Sequence, residues 1–577
     1  MQWGPSVLEC SIFIHGILLG ITKSLDIAIR HLRHESEPIV VWIDQICINQ
    51  NDPAEKTSQV QLMSLIYQRA YNTVIWLGET MGDEAFNALQ LIEARTHNNF
   101  GLLSAEDRET LFDSLDFKAG ALEAIEVLFA SPWFQRTWTI QEAILSKDPW
   151  VMSGTSIRHW ENSVGCCPGV RDLGLFQPRN LPPQPGTTLP AVSDVQPRSV
   201  HGSQAALTIW RMKMDNSSRY NGMMSLLDAL IETRHSQATN PLDNVYGVLG
   251  ICEHDIIPDY TIKATELYRR VTLQILRLAI QEFDYMLSRS AAGTVSATLK
   301  PFTLLYCVDH AASDDTQPSW VVDWSRPPVT ARLASSTSVF NCFDAGKWPV
   351  TTCPLRISDD ERMLYLRGKI FDTIDHLSPI IEDADLEASA ISGNIGLRTC
   401  VAYATSPPPN LTTNLSFLGF CKLLTAGRDI TGRQKYPTTY TEIFSFLCDT
   451  VTGQCPTFAD QIYTPRQQKG RLTLDSLKTR SCGRTFLDLR EAYKSAVLNR
   501  RLCWTNKGHL GLVPRFAKPG DCMVVVPGAP VPFVIRPAGM KDGMPVHQFV
   551  GESYVDEIMH GEVMADSGTE VTDIRLV

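Results

Sequence analysis

The sequence predicts an α/β fold: a doubly wound, mainly parallel sheet, followed by a helical region and a small C-terminal antiparallel β module. Residues 39–43 and 73–77 are continuous apolar, β-branched runs of strand length, which is typical of strands buried on both faces. Apolar residues recur at helical spacing between them, so the three elements form a right-handed βαβ unit. Short apolar runs separated by turn residues near the C-terminus indicate the antiparallel module.

Elements on either side of this unit follow from local signals. Residues 11–14 and 18–21, split by His15-Gly16-Ile17, predict a hairpin. Thr22 is a candidate N-cap for the helix that follows. Further along the chain, helices are predicted at 83–94, 119–130, 138–145, 223–233 and 264–282, and a short strand at 150–152.

The chain is predicted to divide into four parts. Residues 1–165 form the α/β domain. Seven prolines between 166 and 203 forbid regular structure, which predicts a linker or a long surface loop. Residues 204–400 are a helical or mixed region, and 401–577 combine a helical segment with the β module. The strands of that module are predicted at 501–504, 510–513, 522–526, 531–535 and 548–550.

Composition excludes several classes of protein. A net charge of −11 argues against a general nucleic-acid binder, which needs a basic surface. No run of uncharged apolar residues is long enough to predict a membrane span. Fifteen cysteines without a CxxC pair indicate reduced thiols in a cytoplasmic protein and no zinc site. The phosphate-binding, serine-hydrolase, zinc-protease and dinucleotide motifs are absent, so we expect no bound metal or required cofactor.

The strongest candidate for chemistry is the pair Trp138 and Glu142. Four-residue spacing on a helix places them on one face, one turn apart. An aromatic wall beside a carboxylate suits glycosidic-bond cleavage, because the ring holds a planar base while the carboxylate stabilises positive charge at the anomeric carbon. The alternative is an ordinary amphipathic helix in which the tryptophan is buried and the glutamate is solvated.

Three more residues are candidates for binding a substrate. Asp44 directly follows the first predicted strand, at the edge where open α/β sheets bind ligands, so it either contacts a ribose hydroxyl or caps the next loop. Asn49 allows the same two interpretations. Arg136 either meets a phosphate or pairs with Glu142.

Several segments resemble the fungal heterokaryon-incompatibility (HET) domain. The first is WIDQICINQ at 42–50, with its continuation through 78. Further along are WFQRTWTIQE at 133–142, PLDNVYGVLG at 241–250 and PDY at 258–260. Near the C-terminus, WVVDWS at 320–325, PGD at 519–521 and GESYV at 551–555 resemble a region common in these proteins. The resemblance spans nearly the whole chain.

The resemblance implies a fold and a role. The HET domain is distantly similar to Toll/interleukin-1 receptor-like (TIR) domains, so the sheet is expected to be TIR- or flavodoxin-like. Some TIR domains cleave NAD with the Glu of a Trp-x-x-x-Glu motif. By that motif Glu142 is the candidate catalytic carboxylate, Trp138 its structural or stacking partner, and NAD the candidate substrate.

The role implied by the family is non-self recognition that triggers programmed cell death. The implied partners are proteins, either the product of an incompatible allele or a signalling receptor, and the active form is expected to be a homo-oligomer. Two alternatives stay open. One is a non-catalytic interaction and oligomerisation module, and the other is an inert or repurposed relative beside a biosynthetic gene cluster.

The sequence departs from the family pattern in two places. Family members usually open with a strand of the type Ala-Leu-Ser-Tyr-x-Trp-Gly, of which Trp3-Gly4 is the counterpart here. The first strand of the sheet is therefore expected to be missing, which would leave two unpaired strand edges. Asn240 and Leu242 stand where the family tends to have Asp and Arg, which weakens a charge-based role for that segment.

Overall fold

The fold was analysed in a computed structural model of the chain. The described residues are 8–80, 82–96, 120–172, 196–218, 224–290, 301–309, 317–334, 343–347, 350–386, 395–409, 411, 415–429, 436–437, 439–452, 482–566 and 570–577. Trp3-Gly4 and the central part of the predicted linker, 173–195, lie outside them. The chain forms two compact units, Met1–Ala264 with Trp324–Pro327, and Thr265–Asp323 with Pro328–Val577.

The first unit mixes helices with short strands. Its strands are β1 (Cys10–Ile14), β2 (Ile17–Ile21), β3 (Thr73–Trp76), β4 (Pro149–Ser153), β5 (Ser156–His159), β6 (Met224–Ser225) and β7 (Cys252–Glu253). Its helices are α1 (Lys23–Leu32), α2 (Asp44–Cys47), α3 (Pro53–Arg69), α4 (Gly82–Thr96), α5 (Ala121–Phe129), α6 (Trp138–Leu145), α7 (Cys167–Asp172), α8 (Gln196–Ser218), α9 (Leu226–Thr233) and α10 (Asp243–Tyr246). The helices predicted between residues 83 and 233 are therefore confirmed, with ends that differ by a few residues.

The predicted N-terminal hairpin is confirmed. β1 pairs with β2 in antiparallel register. His15 and Gly16 at the turn have φ of 50° and 81°, and this pair of positive values fits a two-residue turn whose twist matches the strands. Thr22 then caps α1, because its side chain accepts the Leu25 N–H at 3.4 Å.

The predicted pairing of residues 40–43 with 74–77 is wrong. β3 lies parallel to β4, and β4 lies antiparallel to β5, so the sheet has the order β3-β4-β5. Residues 39–43 are in no strand: Val40 is fully exposed, and only Ile43 is buried, against Ile21 and Leu25. An apolar β-branched run predicts an extended backbone, but it does not specify whether that backbone pairs with another strand. The unit is thus α/β with one parallel pair in this sheet, and a doubly wound sheet is not observed in the described residues.

The predicted linker is shorter than 166–203, because both of its ends are helical. α7 and α8 cover 167–172 and 196–218. Pro168 and Pro197 each occupy the first turn of their helix, where a backbone N–H has no partner within the helix and proline is tolerated. Two of the seven prolines therefore mark helix starts.

The second unit combines helices with a large β-sheet. Its helices are α11 (Ala264–Arg289), whose first residue lies at the boundary, α12 (Pro301–Leu305), α13 (Asp383–Leu386), α14 (Ile395–Ala404), α15 (Phe417–Leu424), α16 (Thr439–Thr452), α17 (Cys482–Val497) and α18 (Glu562–Ala565). Its strands are β8 (Leu355–Ile357), β9 (Leu364–Leu377), β10 (Arg500–Thr505), β11 (Leu510–Pro514), β12 (Cys522–Val525), β13 (Phe533–Lys541), β14 (Met544–Glu552) and β15 (Thr572–Leu576). The five predicted strands of the C-terminal module correspond to β10–β14.

The strand β9 organises this sheet, and the sequence did not predict it. The strands β9, β12, β13, β14 and β15 pair in that order, and β15 returns to β9, so these strands close a barrel. The pairing is antiparallel except between β14 and β15. Because β9 falls in the region predicted as helical or mixed, the compact units divide elsewhere than the predicted boundary at residue 400.

Of the helices that the structure describes, none combines the length and the apolar composition needed to cross a bilayer.

Candidate functional site

The helix α6 carries both residues of the Trp-x-x-x-Glu motif. It follows a short 3₁₀ turn, Pro132–Gln135. The Thr139 hydroxyl lies 2.9 Å from the Trp133 carbonyl and 2.6 Å from the Arg136 carbonyl, which fixes the turn against the start of the helix. The predicted helical spacing of Trp138 and Glu142 is confirmed.

Glu142 is a buried carboxylate held from two sides. The residue is only 6% exposed to solvent. The Trp133 indole N–H donates to Glu142 Oε2 at 3.2 Å, and the Tyr67 hydroxyl donates to the same carboxylate. A solvated glutamate on an amphipathic helix, the alternative allowed by the sequence, is therefore wrong. Trp138, one turn earlier, is half-buried.

Asp44 and Arg136 lie within electrostatic range of Glu142. Burial raises the pKa of the Asp44 carboxyl, the Glu142 carboxylate adds to that rise, and the Arg136 guanidinium opposes it. The structure thus brings together three of the sequence-predicted residues. Asp44 lies at the start of α2 rather than at the end of a strand, because residues 39–43 are not paired.

Tyr67 completes the cluster as a hydrogen-bond donor to Glu142. Burial raises the pKa of its phenol well above the usual value, and the charges of Glu142 and Asp44 raise it further. The hydroxyl therefore stays protonated and donates to Glu142. Among the described residues, two carboxylates, one guanidinium and one neutral phenol share this site, so that negative charge exceeds positive charge within this set.

Asn49 stabilises the turn before α3, and its hydrogen bonds do not connect it to the cluster around Glu142. It is exposed, and its side-chain oxygen accepts the Asn51 N–H at 3.2 Å. Its own backbone N–H donates to Glu55 Oε1 at 2.9 Å, just ahead of α3. These bonds support the second of the two interpretations of Asn49, a turn before a helix.

The sequence did not single out Tyr67, Trp133 or Lys213. Trp133 lies in the same family-like segment as Glu142, residues 133–142, and Tyr67 lies on the apolar face of α3. Nothing in their spacing links either residue to the carboxylate. Lys213 on α8 donates through Nζ to the Ala143 and Ser146 carbonyls, both at 2.9 Å. It satisfies carbonyls at the end of α6, and burial lowers its pKa to about 8.

This arrangement can stabilise a developing positive charge. A buried carboxylate such as Glu142 acts strongly on a nearby cation because water screens it little. Within the described residues, no group of three or more His, Cys, Asp or Glu side chains is placed to hold a metal ion.

The chain is thus a two-domain protein: an α/β domain that carries an acidic cluster is followed by a β-barrel domain. Residues 2–142, which include Asp44, Arg136 and Glu142, match the heterokaryon incompatibility protein (HET) family, and residues 462–576 match the Het-6 beta-barrel domain. The chain is 25% identical to heterokaryon incompatibility protein 6, OR allele, of Neurospora crassa, over 97% of this chain and 87% of that protein. No solved structure matches. The two family matches and this relative confirm the resemblance of the chain to heterokaryon-incompatibility proteins.

Proposed function

We propose that this protein acts in heterokaryon incompatibility by linking non-self recognition to programmed cell death, with the cluster of Asp44, Arg136 and Glu142 as its effector site. The observation that carries the proposal is a buried carboxylate, Glu142, with the half-buried carboxylate of Asp44 and the guanidinium of Arg136 nearby, in the segment that matches the HET family. A fold gains nothing in stability from an excess of buried negative charge. Such groups are typical of functional sites.

The reaction that this site suits best is hydrolysis of NAD. The bond between the ribose anomeric carbon and the nicotinamide nitrogen breaks, and its electron pair stays on the nicotinamide. Water then adds to the anomeric carbon and loses a proton, giving ADP-ribose. Positive charge develops on the ribose in the transition state, and the Glu142 carboxylate would stabilise it.

The other residues of the cluster would position the carboxylate or the substrate. The donors Trp133 and Tyr67 hold Glu142 in one orientation. Arg136 supplies positive charge that suits a pyrophosphate, and Asp44 supplies an acceptor for a ribose hydroxyl. Trp138 would give the stacking surface. Substrate must reach a carboxylate that is 6% exposed, so activity would require a rearrangement on assembly or partner binding.

A second candidate is a non-catalytic interaction and oligomerisation module. It is favoured by the bonds that already occupy Glu142 and by apolar side chains exposed in the first unit. Phe13 and Ile17 on the hairpin are 77% and 71% exposed, and Val40 is fully exposed. Exposed apolar residues of this size suit contact with a protein partner or a second copy of the chain.

NAD consumption by the purified full-length chain tests the proposal, measured across protein concentrations because assembly is part of it. We expect the wild type to release nicotinamide and Glu142→Gln to be slower by roughly 100-fold, since the variant keeps the shape of the side chain but loses its charge. Glu84→Gln, at an exposed position of α4, is the matched control and should retain activity. Equal NAD loss in wild type and Glu142→Gln would reject catalysis at this site. No NAD loss at any concentration, with cell death intact in both variants, would favour the interaction module.

A further inference from the structure

The second unit encloses a small polar cavity that the proposed function does not use. Its lining includes Tyr306, Asp309, Arg500, Arg515 and Glu552. Arg500 begins β10 and Glu552 ends β14. The enclosed space is of the size that holds a single water molecule or a monatomic ion.

Three atoms of the lining side chains are buried donors without a protein partner. They are the Tyr306 hydroxyl, Arg500 Nε and Arg515 Nε. Tyr306 is 3% exposed and Arg500 is 1% exposed, so bulk water does not satisfy them. A buried donor left unsatisfied destabilises the fold, and buried polar groups normally have a partner.

The acceptors in the wall are occupied by other donors. Glu552 accepts one Arg500 amino group at 3.0 Å and also the backbone N–H groups of Leu333 and Ala334, at 2.6 and 3.4 Å. Asp309 Oδ2 accepts the Val329 N–H at 2.7 Å. The same Arg500 amino group also donates to the Ala331 carbonyl at 2.7 Å.

The charges around the cavity do not disfavour an anion. Arg500 and Arg515 face Glu552 and Asp309, and a third guanidinium, Arg428, lies within electrostatic range of Glu552. Glu382 approaches Arg515 only at 4.0 Å, and its side chain is 63% exposed, so solvent screens it.

We propose that this cavity binds a small inorganic anion of the size of chloride. The anion accepts hydrogen bonds from the unpartnered donors of Tyr306, Arg500 and Arg515. It thereby joins the start of β10 to residues 306–309, which follow α12. Gly551 also lines the cavity, and a Cβ there would crowd two other lining residues, at 2.9 Å from Pro514 Cγ and 3.3 Å from the Val308 carbonyl. A bound anion would therefore stabilise this end of the barrel.

Hydrogen exchange of the full-length chain tests the proposal, with sodium chloride compared with sodium gluconate at equal ionic strength. At chloride concentrations ten times its Kd, we expect exchange of segment 500–505 to slow by about tenfold, because a ligand that binds only the native state protects it by that factor. Segment 149–153 of the first unit is the internal reference and should not respond. In Tyr306→Phe, which loses the hydroxyl donor, the chloride effect should shrink.

Two further variants keep the experiment decisive. Tyr493→Phe removes a buried phenol of the same unit that is not among the residues lining the cavity, so its chloride response should equal that of the wild type. Arg515→Lys keeps the charge but lacks Nε, and it replaces Tyr306→Phe if that variant does not fold. Two outcomes would overturn the proposal and indicate a buried water: the wild type does not respond to chloride, or both cavity variants respond as strongly as the wild type.

Discussion

The two units of the chain each bury charged side chains, but they do so differently. In the second unit, Arg500 and Glu552 are an ion pair at 3.0 Å, with side chains 1% and 5% exposed. In the first unit, Glu142 and Asp44 share the electrostatic influence of Arg136, and the phenol and indole that hold Glu142 are neutral. Counted over the described residues, the first cluster therefore contains more negative than positive charge. We infer that the charges of the second unit hold its fold together, whereas those of the first serve function.

Breaking the pair in the second unit should have the largest effect on stability. Arg500→Met leaves the Glu552 carboxylate buried without its closest cation, which is expected to lower the free energy of unfolding by about 3–5 kcal/mol. Urea denaturation measures it. The double variant Arg500→Met/Glu552→Met should lose less than the sum of the single variants. Strictly additive losses would mean that the pair does not act as a unit.

Removing one of the hydrogen-bond donors that contact Glu142 should have a smaller effect on stability. Trp133→Phe loses the indole N–H that meets the carboxylate, at a cost of about 1–3 kcal/mol for the unmade hydrogen bond. Trp160 is the matched control, because it is equally buried, lies 6.3 Å from Trp133 between ring centroids and has an indole N–H without a partner. Thermal unfolding should therefore show a larger loss for Trp133→Phe than for Trp160→Phe. Equal losses would show that only ring volume matters.

Asp44→Asn should change the pH dependence of stability. Since the folded pKa of Asp44 is raised, its penalty is absent below the usual pKa of an aspartate, about 4, grows as pH rises from there to the raised value, and stays constant above it. The variant should gain stability relative to wild type as pH increases from about 4 to 7. Melting temperatures of both proteins across this range measure the difference. A constant difference would contradict the charged cluster.

Asn49→Ala should have the smallest effect, because the side chain is exposed and serves only the turn before α3. We expect a change of about 0.5 kcal/mol or less in the free energy of unfolding and unchanged cell death. Loss of cell death in a stable Asn49→Ala protein would instead restore the ligand-binding interpretation and extend the cluster beyond Asp44.

The same contrast separates what the sequence could predict from what it could not. Local signals predicted the hairpin at His15-Gly16, the cap at Thr22 and the helical face of Glu142. Pairing partners were not predictable: residues 39–43 have the composition of a buried strand, yet they join no sheet, and β3 pairs with β4 instead. The contacts of Trp133 and Tyr67 with Glu142 depend on that tertiary arrangement, and so does the role of β9 in the barrel.

The most direct test of the account is cell death in fungal cells that express Glu142→Gln together with an incompatible partner. Abundance and thermal stability are first matched to those of the wild type and of Glu84→Gln. If the buried carboxylate of the first unit serves function, the wild type and Glu84→Gln kill, and cells with Glu142→Gln survive. Killing by a folded, equally abundant Glu142→Gln protein would contradict the account and leave the charge of this cluster without a role in the output.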